Sequence, residues 1–292
     1  DGSAALAKRL RVPEFIIGLT IVAVGTSTPE LVVSVLSAVT GKSDVAIGNV
    51  VGSNIFNVFV ILGVCALIRP LPLTAGNIRR DIPLGTVVSL LLVALASDSL
   101  FSAGATDRIG RIDGIAMLAL YVLLIGYTIR RTGRTDAVPA ESGAKSPTKG
   151  WIMAVMILGG LAGLVFGGEM FLDNATAVAR RLGVSDSVIA LTLVAGGTSL
   201  PELASLLKGK AGMALGNVIG SNIANILLIL GLSATIRPLT PGGITALDFG
   251  MAALSSLVLF LAAFTFRRKA IDRAEGILFL AAYALYLWQL IR

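Results

Sequence analysis

Residues 23–57 read AVGTSTPELVVSVLSAVTGKSDVAIGNVVGSNIFN, and residues 195–225 read AGGTSLPELASLLKGKAGMALGNVIGSNIAN. Glu30 and Glu202 stand 172 positions apart, as do Pro29 and Pro201; Asn57 and Asn225 stand 168 apart, because the second copy has four fewer residues between its halves. Each copy sets one carboxylate, paired hydroxyls, a proline and several glycines inside a long apolar run. An ionisable group there marks a functional site by default, and two in equivalent positions define one design.

The apolar setting extends along the chain. Its 292 residues are 55% hydrophobic and 14% charged, with a mean hydropathy of +0.88. Several stretches reach the roughly 20 apolar residues that cross a bilayer as a helix. They are too long and continuous for the alternating ten-residue segments of a transmembrane barrel. Spans are expected at 14–39, 44–68, 78–97 and 112–129, then at 150–178, 184–207, 212–235, 244–265 and 273–291. The single cysteine, Cys65, excludes a disulfide framework, and histidine is absent. The net charge of +7 lies between spans, where it meets anionic headgroups rather than nucleic acid.

The repeat continues beyond the opening stretches. Ile68-Arg69-Pro70-Leu71 recurs as Ile236-Arg237-Pro238-Leu239, and RIDGIAMLALY at 111–121 as RAEGILFLAAY at 273–283. The opening DGSAALAKRLRV matches 173–184, which a full apolar span precedes in the second copy only. The expected organisation is therefore a first half at 1–130 lacking its first helix, a polar linker at 131–149, and a second half at 150–292. Most basic residues fall in alternate loops that include the linker, which places the linker in the cytoplasm. Five spans per complete half is an odd number, so the second half enters the membrane upside down. The fold class is an all-α membrane protein with an inverted repeat of five plus five helices, a pattern of secondary transporters whose sites lie at mid-membrane.

Pro29 and Pro201 each remove a helical N–H, and such breaks at membrane depth face protein or a wet cavity. Thr28-Pro29-Glu30 reads as a helix restart with a hydroxyl cap and an acid near the positive dipole end. Capping alone explains one such acid. It explains poorly two, both in GTSxPEL with no neighbouring base. The glycines of GNVxGSNI, four apart, suit close helix packing. Packing leaves Ser53, Asn54 and Asn57 unexplained, and likewise Ser221, Asn222 and Asn225. Carboxylate, amide and hydroxyl oxygens form a hard cage suited to Ca²⁺ and Na⁺ rather than softer metals, with backbone carbonyls freed near Ala23 and Ala195 to complete it. Of the other acids, Glu169 and Asp173 read as a wet helix end, and Asp248 as interfacial. Trp151 and Trp288 read as interfacial anchors.

The two stretches resemble the repeats of the calcium:cation antiporter superfamily, which includes the sodium/calcium exchangers, over essentially the whole chain. The resemblance implies ten helices in an inverted repeat and exchange of Ca²⁺ for Na⁺ or H⁺. It implies ion ligands at Glu30 and Glu202, at the hydroxyls of Thr26, Ser27, Ser53, Thr198, Ser199 and Ser221, at the amides of Asn57 and Asn225, and at the carbonyls of Ala23 and Ala195. Some relatives carry Asp where this chain has Asn225, so this site holds two carboxylates, and the coupling ion stays open between Na⁺ and H⁺. A cation channel is the less favoured alternative, separated by whether flux needs a counter-ion. The expectations are a multi-pass protein of a prokaryotic inner membrane, transported ions but no cofactor, contact with lipid, no enzymatic activity and no obligate protein partner.

Overall fold

The computed structural model describes residues 23–98, 106–132, 150–181, 183–208, 211–264 and 270–291. The first part of the 14–39 span, most of the linker, the side chains of Glu169, Asp173 and Lys208, and the basic residues at 210 and 267–269 lie outside the described residues. Helices cover every other expected span. They run Thr28–Thr40 after the short turn Ala23–Thr26, then Ser43–Ile68, 77–95, Arg111–Thr132, Gly150–Arg181, 186–208 with an interruption at Ser199, 211–236, Ala246–Ala262 and Arg273–Ile291. Four stretches are long and apolar enough to cross a bilayer: Ser43–Ile68, Arg111–Thr128, Asp186–Ala204 and Leu215–Ile236.

Burial sorts these helices into an inner and an outer set. The apolar window of Ser43–Ile68 is 72% buried and that of Leu215–Ile236 is 78% buried, whereas Arg111–Thr128 is only 22% buried. The two GNVxGSNI helices therefore form the centre, and Arg111–Thr132 turns Ile115, Val122 and Leu123 outward, as a lipid-facing helix must. Glycine lets the inner helices touch. A Cβ on Gly52 would overlap the Leu191 carbonyl and sit 2.7 Å from the Ala195 methyl, and one on Gly48 would sit 2.8 Å from the Ala190 methyl. Larger residues at these positions would force the inner helix away from the π-helical turn Ala190–Val194.

Contacts between the halves come in equivalent pairs, the pattern that a two-fold relation produces. Leu71 of the first half pairs antiparallel with Ile271 of the second. Ile109 pairs likewise with Leu239, and Ile109 and Leu239 are the repeat equivalents of Ile271 and Leu71. One pairing precedes helix 77–95 and the other follows it. Arg273 Nε donates to the Leu67 carbonyl at 3.2 Å, and its equivalent Arg111 donates through Nη2 to the Ile236 carbonyl at 3.4 Å. Each arginine thus caps a helix C-terminus of the opposite half, where the dipole favours a cation. Helix starts repeat as well: Asp113 Oδ2 accepts from Gly110 N at 2.7 Å, and Glu275 Oε2 from Asp272 N at 2.6 Å.

Asp248 departs from the interfacial reading. It is 1% exposed and closes a capping box with Thr245. Tyr286 O–H donates to its Oδ1 at 2.8 Å. A helix start tucked under a neighbouring helix supplies the polar partners that water would otherwise provide. Trp151 and Trp288 are exposed, at 66% and 59%.

Candidate cation site

The interruptions fall one residue before the expected restart. Helix Thr28–Thr40 has Ser27, not Thr28, at its cap position, and the Ser27 side chain makes no capping bond. Proline at the second helical position removes a donor the first turn does not need, so the backbone stays nearly continuous: Ser27 N donates to Ala23 O at 2.9 Å and Leu31 N to Ser27 O at 3.0 Å. The serine hydroxyl is thereby free to reach across to the other half.

It reaches a carboxylate. Ser27 Oγ donates to Glu202 Oε1 at 3.2 Å, and its equivalent Ser199 Oγ donates to Glu30 Oε1 at 3.1 Å. Each serine stands three residues before the glutamate of its own half, so the exchange brings the two carboxyl groups to one place. Both glutamates are 0% exposed. Neither the Arg80–Asp81 nor the Arg180–Asp186 ion pair reaches this pair of acids. Hydroxyls answer the two carboxylates.

The asparagines follow the same symmetry. Asn54 Nδ2 donates to the Asn222 carbonyl and Asn222 Nδ2 to the Asn54 carbonyl, both at 3.2 Å. Asn57 Nδ2 donates to Asn222 Oδ1 at 2.9 Å, and Asn225 Nδ2 to Asn54 Oδ1 at 3.1 Å. With their nitrogens committed to this clasp, Asn57 and Asn225 turn their oxygens the other way. Each also opens a π-helical stretch, Asn57–Leu62 and Asn225–Leu230, a distortion that recurs at functional sites.

Among the described residues, four buried carboxylate and amide oxygens are left without a hydrogen-bond partner, Glu30 Oε2, Glu202 Oε2, Asn57 Oδ1 and Asn225 Oδ1, besides the hydroxyl of Ser233. They are two equivalent pairs, one from each half. A buried acceptor left unmatched costs roughly 1–3 kcal/mol, and more when charged, and folded proteins rarely keep even one without reason. Two carboxylate and two amide oxygens are a donor set for a hard cation.

The symmetry is incomplete in two places. Ser221 Oγ donates to Glu202 Oε1 at 3.2 Å, but its equivalent Ser53 turns away to the Ala195 carbonyl at 3.3 Å and the Thr198 hydroxyl at 3.4 Å. Asn49 Nδ2 donates to the Glu30 carbonyl at 3.2 Å and to Ser34 Oγ at 3.0 Å. Its equivalent Asn217 has an unpartnered Nδ2, and the sequence carries leucine at 206, the position of Ser34.

One expectation needs correction. The carbonyls of Ala23 and Ala195 are not freed. Ala23 O accepts from Ser27 N and from Thr26 Oγ1 at 3.3 Å; Ala195 O accepts from Ser199 N at 3.1 Å, Thr198 Oγ1 at 3.2 Å and Ser53 Oγ at 3.3 Å. Proline removes the bond to the carbonyl four residues back, which is that of Gly25 or Gly197. Thr26 and Thr198 donate to Asn217 Oδ1 at 3.4 Å and Asn49 Oδ1 at 3.2 Å, and each hydroxyl also lies against the carboxylate of the opposite half, Thr26 at Glu202 and Thr198 at Glu30. Asn49, Asn217 and Ser34 are the polar residues that sequence reasoning missed. The signal was a pair of asparagines 168 apart in an apolar run, equivalent in both copies.

The model of the sodium/calcium exchanger protein family matches residues 1–130 and 152–292. Among the similar proteins, a putative antiporter CaxA of Alkalimonas amylolytica is 37% identical over 98% of this chain and 90% of its own length. The inner membrane protein YrbG of Escherichia coli is 35% identical over 98% and 89%, and the sodium/calcium exchanger MaX1 of Methanosarcina acetivorans 34% over 98% and 91%. Among solved structures, the sodium-calcium exchanger NCX_Mj, soaked with Na⁺ and Sr²⁺, superposes with a TM-score of 0.76 at 32% identity, covering 98% of this chain and 90% of that one.

Proposed function

Because the chain belongs to the sodium/calcium exchanger family, whose members are membrane transporters and not enzymes, we propose that it exchanges Ca²⁺ for Na⁺ at the site shared by Glu30 and Glu202. The observation that carries this reading is the set of four unpartnered buried carboxylate and amide oxygens among the described residues, drawn equally from both halves. Ca²⁺ takes about six to eight oxygens. These four begin such a shell, and rotation of Ser53, Ser221, Thr26 or Thr198 adds hydroxyl oxygens or uncovers the carbonyls of Ala23 and Ala195. Ser27 and Ser199 hold the second oxygen of each carboxylate, fixing its orientation by charge-assisted hydrogen bonds.

Coupling follows from charge. Two carboxylates about 6 Å apart repel by roughly 3 kcal/mol at an effective dielectric near 20. With both groups fully buried and no base beside them among the described residues, the bare pair resists the passage through a dehydrated state that alternating access requires. One Ca²⁺ or two Na⁺ cancels the charge. Both use the same oxygens, so they bind in turn rather than together, and opposed fluxes become linked.

Asparagine at both 57 and 225 favours a second reading. With only two carboxylates, two protons neutralise the site as fully as two Na⁺. Reconstituted vesicles distinguish the readings. Uptake of ⁴⁵Ca²⁺ driven by an opposing Na⁺ gradient supports the proposal, uptake driven only by a pH gradient supports proton coupling, and uptake needing neither marks a channel. E30Q or E202Q protein exchanging at the wild-type rate would refute the site. In the cell the same reading puts the linker on the cytoplasmic side of a prokaryotic membrane.

A further inference from the structure

At the end of the molecule where Thr132 meets the linker, a slot of about 440 Å³ opens between helices 77–95 and Arg111–Thr132. Its rim carries Arg79 and Arg80, and its wall is Val87 and Leu124, with Ile223 of the inner helix as floor. Arg80 is held by Asp81 at 2.7 Å. Arg79 is exposed and makes no hydrogen bond or ion pair among the described residues. Val87 and Tyr127 are 61% and 52% exposed, so the slot is open along its outer side, and Ile223 is 3% exposed. Val87 lies seven residues beyond Arg80, about 10 Å along a helix. The slot is therefore cationic at the membrane edge and apolar about two turns deeper.

We propose that this slot binds an anionic phospholipid, its phosphate on Arg79 and Arg80 and one acyl chain along Val87, Leu124 and Ile223. The charges favour this occupant: two guanidiniums against the single carboxylate of Asp81 leave a net positive rim, and Arg130, exposed and one turn beyond Tyr127, adds to it. Basic pockets between helices select acidic headgroups. A free phosphate would satisfy the arginines but leave the apolar wall uncovered, and a zwitterionic lipid would satisfy the wall but bring a cation to the rim. The floor has a structural consequence. Ile223 follows Asn222, which accepts from Asn57 and donates to Asn54, so an acyl chain here braces the segment that bears the asparagine clasp.

The test needs no transported ion, so it stands apart from the exchange assay. Purified protein is mixed with equal phosphatidylglycerol and phosphatidylcholine and examined by native mass spectrometry, with thermal unfolding in each lipid alongside. The expected result is retention of phosphatidylglycerol over phosphatidylcholine, reduced about fivefold in R79Q, as loss of one near-surface charge implies. V87W, which fills the slot without touching a charge, loses retention too. Phosphatidylglycerol also raises the unfolding temperature of wild type more than of either variant, and inorganic phosphate at millimolar concentration does not displace it. Equal retention by wild type and V87W, equal retention of the two lipids, or displacement by phosphate overturns the proposal.

Discussion

The hydroxyl of Ser27 donates to Oε1 of Glu202, 175 positions along the chain, at 3.2 Å. The two residues belong to opposite repeats, and the equivalent bond from Ser199 to Glu30 measures 3.1 Å. These exchanged bonds bring the two carboxyl groups together, and they set the first prediction.

Ser27 and Ser221 both donate to Glu202 Oε1, whereas Ser199 is the serine, among the described residues, that donates to Glu30 Oε1. S199A should therefore weaken Ca²⁺ more than S27A. At about 1.5 kcal/mol for a charge-assisted bond, S199A should raise the half-saturating Ca²⁺ roughly tenfold, and S27A a few-fold. Concentration dependence of ⁴⁵Ca²⁺ uptake in vesicles measures both, and the reverse order would show that Ser221 does not share the load.

Asn225 donates its Nδ2 to Asn54 Oδ1. In N225D an ionised carboxylate would face that oxygen acceptor to acceptor, while adding charge on the ion side. The variant should unfold at lower temperature than wild type in chelator and recover with Ca²⁺ through a larger ligand-induced shift. N57D should behave alike, since Asn57 Nδ2 donates to Asn222 Oδ1. Thermal unfolding with and without Ca²⁺ decides it; an unchanged Ca²⁺ shift would place both residues outside the cage.

Gly52 and Gly25 should respond differently to alanine. The Gly52 site has no room against Leu191 and Ala195, while a Cβ on Gly25 meets nothing within 4 Å. G52A should destabilise by roughly 1–3 kcal/mol or fail to fold, and G25A should retain wild-type stability. Unfolding temperature in detergent reads out both.

Y286F probes a buried polar contact away from the ion. Tyr286 is the hydrogen-bond donor to Asp248 Oδ1, and Asp248 is 1% exposed, so the change leaves an unmatched buried oxygen costing roughly 1–3 kcal/mol. Stability should fall while the half-saturating Ca²⁺ stays as in wild type.

Much of this was legible in the chain because a bilayer imposes a simple requirement: about twenty apolar residues per crossing. That alone located helices from Ser43–Ile68 to Arg273–Ile291. The duplication made Glu30 and Glu202 visible, since a lone buried acid is easily read as a cap and an equivalent pair is not. What stayed hidden depends on partners distant in the chain, from 38 positions for Asp248 and Tyr286 to 175 for Ser27 and Glu202. Nothing local says that Ser27 caps no helix and instead holds Glu202. Nor does it say that Thr198 turns to Asn49, or that Asp248 folds under Tyr286. The π-helical turns at Asn57 and Asn225 are equally silent in sequence, because a one-residue shift in hydrogen bonding leaves the apolar pattern unchanged. The symmetry breaks at Ser53 and Asn217 are side-chain choices that no repeat alignment distinguishes.

The central claim, that both repeats close on one ion, is tested most directly by anomalous diffraction from crystals grown with Sr²⁺ in place of Ca²⁺. The account predicts one mid-membrane peak contacted by Glu30 Oε2 and Glu202 Oε2, with Asn57 Oδ1 or Asn225 Oδ1 beside it. A peak bound by one glutamate alone, or strontium elsewhere with the two carboxylates uninvolved, would contradict it.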